Sequence, residues 1–151
     1  MESTFKTWET GRQHFMSFFD NYTLEQLNKI PQGFSNNLIW NLGHVIVAQQ
    51  SLYYKISGLD TYLSTEFTEA YKPGSRPSGQ TTQAEVDEIK KLMMELLDKT
   101  KEDYSNGVFK NFNPRKTLTG FQLDTLADAI EFNNYHEGMH YGMMLNIRKF
   151  V

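Results

Sequence analysis

Cysteine is absent from this chain of 151 residues, which excludes disulfides, thiolate metal ligands and a protein thiol nucleophile together. Any thiol chemistry would have to use a thiol brought in from outside. A basic stripe is also lacking. The 15 Lys and Arg residues are scattered among 18 Asp and Glu, for a formal charge of -3, so no face is set up to neutralise phosphates and nucleic-acid binding is not expected. Nor does any run approach the ~18 apolar residues of a transmembrane helix. Glu2, Glu9, Arg12 and Asp20 interrupt the N-terminal segment, which predicts neither a signal peptide nor a membrane anchor and makes a cytoplasmic location the expectation. Alternating or Val- and Ile-rich stretches of the kind that form strands are nearly missing, which leaves an all-α fold.

What is present suffices for a packed core. A 39% hydrophobic content with 14% aromatic and 22% charged residues belongs to a globular chain, and the length suits one domain spanning residues 1–151. Four segments carry apolar residues three and four apart, the spacing of one helix face. The first starts near Ser3 as N-cap and shows Phe5, Trp8, Phe15, Phe18 and Tyr22; Thr23 with Gln26 then makes a capping-box pattern for a short turn that Pro31 stops. The second starts near Ser35 or Asn36, carries Ile39, Trp40, Leu42, His44, Ile46 and Tyr53, and ends at Gly58, which suits a left-handed C-cap. Residues 59–81 form an irregular connection broken by Pro73, Gly74, Pro77 and Gly79, with room for one helical turn at Thr65–Tyr71. So long an excursion is often functional or packs as a lid. Thr82 and Glu85 open the third helix, and Asn106 with Gly107 closes it. After a connection containing Pro114 and Gly120, the last helix runs from about Asp124 and includes Leu126, Ile130, Phe132, His136, His140 and Met144. Four long helices with a long connection between the second and third fit a four-helix bundle, either up-and-down or partly crossed.

Four histidines occur. His136 and His140 are four apart on the last helix, so their rings project from one face a turn apart and can converge on one ion. The string His136-Glu137-Gly138-Met139-His140 matches the pattern in which two histidines bind zinc and the glutamate acts as general base in metalloproteases. Such proteases take a third ligand from downstream, and the stretch Tyr141 to Val151 holds no His, Asp or Glu. The third ligand is therefore sought upstream. His44 is better placed for it than His14: it sits in an apolar helix beside Trp40, Val47 and Ala48, where an unpaired imidazole is costly, whereas His14 lies between Gln13 and Phe15 at a helix edge. Glu137 with His140 also has the spacing used by di-iron bundles, but those need two such motifs and only one exists, so a single-metal site is preferred. Glu137 is then a candidate general base or an orienting partner of a ligand. Met139, Met143 and Met144 read as packing, Gly138 and Gly142 as allowing close helix approach, and Trp40 and Tyr141 as pocket walls.

Over nearly its whole length the chain resembles the DinB/YfiT-like superfamily of small four-helix, metal-dependent proteins. The resemblance rests on Trp40-Asn41-Leu42-Gly43-His44, on Gly58-Leu59, on the Pro73 to Pro77 connection, and on His136-Glu137 with His140-x-Gly142. It implies that His44, His136 and His140 bind one divalent ion, commonly zinc, nickel or iron, and that the protein is a homodimer. It also implies thiol-dependent transferase or isomerase activities in which a low-molecular-weight thiol is cosubstrate. Two positions depart from the pattern: many members have arginine after the final histidine and glutamine after the following glycine, where this chain has Tyr141 and Met143.

Three neutral imidazoles leave a divalent ion with open coordination positions, which suits a hydrolase or a thiol transferase acting on a small molecule. The alternative is a non-catalytic metal or small-molecule binding module whose ion ties the second helix to the fourth. A fourth protein ligand, such as Glu137, would mark that alternative.

Overall fold

Side-chain caps set most of the helix starts in the computed structural model, which describes all 151 residues. The first helix is the exception. α1 (Glu2–Asn21) begins before Ser3 and has no side-chain cap; the Phe5 N–H is taken by the Met1 carbonyl instead. α2 (Leu24–Asn28) opens on the Thr23 and Gln26 capping box. α3 (Leu38–Gln50) starts later than Ser35 or Asn36, because its cap is Asn37. That residue accepts from the Trp40 N–H while its amide donates to the Asn28 carbonyl, so a contact with the end of α2 selects the capping position.

α3 runs on into a π-helical turn, Ser51–Lys55, and closes with Leu59 N–H to the Tyr54 carbonyl at 2.9 Å, Gly58 N–H to the Lys55 carbonyl at 3.1 Å, and Gly58 at φ +75°. This is a Schellman closure, and the positive φ is why glycine stands there. α4 (Thr65–Tyr71) is capped by Ser64, and α5 (Gln83–Ser105) by the Thr82 and Glu85 box. Between α5 and α6 the chain makes a hairpin of β1 (Arg115–Lys116) and β2 (Gln122–Leu123), with Arg115 opposite Leu123. Strands of two residues are too short to show alternation, so periodicity could not reveal them. α6 (Leu126–Ile147) begins at a Thr125 and Asp128 capping box rather than at Asp124, and a 3₁₀ turn, Arg148–Phe150, follows.

The four long helices form a ring in which α1 and α3 each pack against both α5 and α6. Contacts fix their directions. Thr4 meets Glu131, Arg12 meets Glu137 and Phe15 meets Tyr141, so α1 and α6 run parallel. Glu9 pairs with Lys101 and Asp20 with Lys90, so α1 and α5 run antiparallel. Gln49 bonds Thr100 and Tyr54 bonds Asp103, so α3 and α5 are parallel. The bundle is thus the crossed form, up-down-down-up. Two consecutive parallel helices must be joined by a chain that travels back their length, which is the physical reason for the long α3–α5 connection.

All thirteen residues of α3 are buried, as expected of a helix apolar on every side. The core splits into two clusters, one around Phe15, Leu42, Ile46, Met93 and Met144, the other around Trp8, Tyr53, Leu97 and Ile130. On α1 and α6 the buried polar pair Arg12 and Glu137 falls between them. Gly138 and Gly142 do not serve close helix approach: a Cβ at either would meet open space. The close approach is at Gly43, where a Cβ would come within 2.5 Å of the Tyr71 ring. No helix is long and apolar enough to cross a membrane.

Candidate metal centre

α3 contributes His44, and α6, antiparallel to it, contributes His136 and His140 one turn apart. Each offers one ring nitrogen, and these three atoms lie within 4.8 Å of one another. Ring centroids are 5.3 Å apart for His44 and His136, 4.7 Å for His44 and His140, and 4.6 Å for His136 and His140. Such a cluster is compatible with holding a metal ion.

Two of the rings have their tautomers set by what faces them. His44 Nδ1 lies 2.7 Å from the Tyr71 carbonyl, which can only accept, so Nδ1 carries the proton and Nε2 keeps its lone pair. His140 Nδ1 lies 2.8 Å from Asn41 Oδ1; the Asn41 amide group is committed as donor to the Asn37 carbonyl at 2.7 Å, so Oδ1 accepts and His140 Nε2 is likewise left with its lone pair. Holding the far nitrogen of a ligand imidazole in this way is how proteins orient metal-binding histidines. His136 differs, since its Nδ1 is buried without a hydrogen-bond partner. Two imidazoles with a free Nε2 lone pair beside a third ring, in a donor set with no carboxylate, are what a borderline divalent cation would bind.

The rings are also uncharged. Burial pushes His44 below the ordinary histidine value against the opposing pull of the Tyr71 carbonyl. Burial, helped by repulsion from His44, pushes His136 down to about 4. Burial and then the two neighbouring imidazoles push His140 down to about 3. Neutral imidazole is the ligand form. Trp40 stacks on His44 at 4.6 Å and 9°, and its indole N–H reaches Ser75 Oγ at 3.0 Å, which ties α3 to the segment after α4.

Glu137 is not brought to the histidines. Its carboxylate faces α1, where it takes Arg12 Nη2 at 2.8 Å and Nε at 3.1 Å, the Trp8 indole at 2.9 Å and the Asn133 amide at 3.0 Å. Arg12 is fully buried and also donates to the Met93 carbonyl. Composition gives no sign of this pair, but Arg12 falls on the same stripe as Trp8 and Phe15, which is the signal that it is internal. His14 is exposed and stacks on Tyr141 at 5.2 Å, away from the cluster. Tyr141 therefore faces α1 instead of walling the histidine site, whereas Trp40 does lie against it. Met143 is exposed.

A cavity of about 230 Å³ opens over His44 and His136, walled by the π turn (Ser51, Leu52), by Phe132 and by the hairpin (Arg115, Thr117, Thr119). The wall from the hairpin was not legible in the sequence.

A helical bundle with three converging neutral histidines beside a cavity defines a class of candidate metal-binding proteins. The model of the DinB superfamily matches residues 7–144, and the chain belongs to that superfamily. Among curated proteins no match is found.

Proposed function

We propose that His44, His136 and His140 hold one divalent ion, zinc, nickel or iron, and that the protein is a metal-dependent enzyme acting on a small molecule, as a hydrolase or as a transferase using a low-molecular-weight thiol. The observation that carries this reading is the convergence of three neutral imidazoles, two with fixed tautomers, on one point beside a cavity. A bound ion would supply Lewis acidity and coordination positions open to a small molecule. The chain's own residues do the rest. Tyr71 and Asn41 hold two ligand rings in register, Trp40 and Phe132 keep the surroundings apolar, and the hairpin closes one side of the cavity.

A purely structural ion, the alternative, would want a fourth protein ligand. Glu137, the nearest acid in sequence, has its oxygens taken up by Arg12, Trp8 and Asn133, which favours the open site. Glu137 is accordingly proposed as an anchor between α1 and α6 and not as the general base. A homodimer in the cytoplasm completes the proposal.

Cobalt(II) substitution tests it. Adding a small thiol such as 2-mercaptoethanol to the cobalt-loaded protein should produce a thiolate-to-metal charge-transfer band and alter the visible spectrum. An unchanged spectrum at saturating thiol would mean a closed coordination sphere and a structural ion.

A further inference from the structure

Arg115 is the only charged side chain lining the cavity over the neutral His44 and His136, and no acidic residue lines it. Arg115 takes part in none of the ion pairs, although Arg12, Lys6, Lys72, Lys90, Lys99 and Lys101 all do. Its position is held by the backbone. Arg115 pairs with Leu123, which is buried in the core cluster of Ile130, and Thr117 N–H bonds the Phe121 carbonyl at 2.8 Å to close the hairpin. Successive residues of a strand point to opposite faces, and Lys116 accordingly lies outside the cavity lining. The other walls are apolar, from Ala48, Leu52, Ile56 and Phe132, with hydroxyls at Thr117 and Thr119.

We propose that this cavity takes a small carboxylate with an apolar body, its carboxylate paired with the Arg115 guanidinium and its other end against the histidines. Charge fixes the sign of the ligand. Two neutral rings, His44 and His136, and one unpaired guanidinium leave the cavity net positive, and a divalent ion on the histidines would make it more so, with no protein acid to compensate. Geometry fixes the group, because a guanidinium presents parallel N–H donors that match the two oxygens of a carboxylate. Size limits the body, since 230 Å³ falls below the ~300–1,000 Å³ usual for drug-sized ligands. The inference rests on the histidines being the reacting centre, and it assigns Arg115 as the residue that selects the substrate.

Binding of benzoate, and of its neutral counterpart benzamide, to the metal-free and zinc-loaded protein tests this, with titrations at constant ionic strength followed by the His44 and His136 ring resonances. In the wild type benzoate should bind at least tenfold more tightly than benzamide. Arg115→Gln should erase that preference, Arg115→Lys should restore part of it, and Lys116→Gln should leave it intact, with thermal stability and zinc content unchanged in all three. Equal affinity of acid and amide for the wild type, no benzoate binding, or a preference surviving in Arg115→Gln would overturn the proposal. A chain that takes up no zinc but still shows the Arg115-dependent preference would sink the metal reading and leave this one standing. A chain that binds zinc through its histidines while Arg115→Gln changes nothing would do the reverse.

Discussion

His140 donates its Nδ1 proton to Asn41 Oδ1 across the interface of α3 and α6, at 2.8 Å. Asn41 is itself buried and held by its amide to the Asn37 carbonyl, the N-cap of α3, so the start of one helix orients a ligand candidate on another. Replacing Asn41 by Leu should remove the acceptor, let the His140 ring rotate, and weaken zinc affinity about 10- to 100-fold. Asn41→Asp, which keeps an oxygen there, should retain most of it. Chelator competition measures both, and equal affinity in wild type and Asn41→Leu would contradict the orienting role.

Glu137 separates a structural role from a chemical one. Removing it as Glu137→Ala leaves Arg12 buried without its counter-ion, which should cost about 3–5 kcal/mol of stability, read from denaturant unfolding. Zinc stoichiometry of the folded fraction should stay at the wild-type value. A variant that unfolds like the wild type would mean the carboxylate is free for other work.

Gly43 is spaced for Tyr71. The methyl of Gly43→Ala would enter the Tyr71 ring and displace the segment whose carbonyl holds His44. Overpacking of this kind costs about 1–3 kcal/mol, against a helix-propensity gain of about 1 kcal/mol. The variant should therefore be no more stable than the wild type and should bind zinc more weakly. Alanine at Gly138 or Gly142, where space is open, should raise stability instead. Thermal melts with and without zinc compare the three.

Acid should destabilise the metal-free protein before its carboxylates titrate. Unfolded histidine takes its proton near pH 6.5, while folded His136 does so only near 4, His140 near 3, and His44 below its ordinary value. Between those limits the unfolded chain binds more protons than the folded one, so stability is complete above about pH 6.5 and falls as pH drops. Melting temperature should decline steadily from pH 6.5 to about 4.5, and the decline should be shallower in the double variant His136→Gln with His140→Gln. A flat profile over that window would show that the rings protonate freely in the folded state.

Local signals carried most of the fold. The capping boxes at Thr23 and Thr82 and the glycines 58 and 107 stand where the sequence places them, because caps are set within a few residues of chain. The turn of helix at Thr65–Tyr71 is also where the spacing allowed it. What local pattern could not supply was anything decided by tertiary contact: the Asn37 cap chosen by α2, the two-residue strands, the parallel pairing of α3 with α5, and the direction in which Glu137 points. The three histidines were legible as candidates because i, i+4 spacing and an imidazole in an apolar helix are both one-dimensional signals. Arg115 was not, since its place over the histidines depends on a hairpin invisible to periodicity.

Metal content of tag-free protein, purified without added metal and then loaded with one equivalent of zinc, tests the histidine centre most directly when wild type and His44→Ala are compared after exhaustive dialysis. One ion per chain in the wild type and none above background in His44→Ala, with both still helical, is the predicted result. Equal zinc retained by His44→Ala would show that α3 does not supply a ligand, and the centre described here would be wrong.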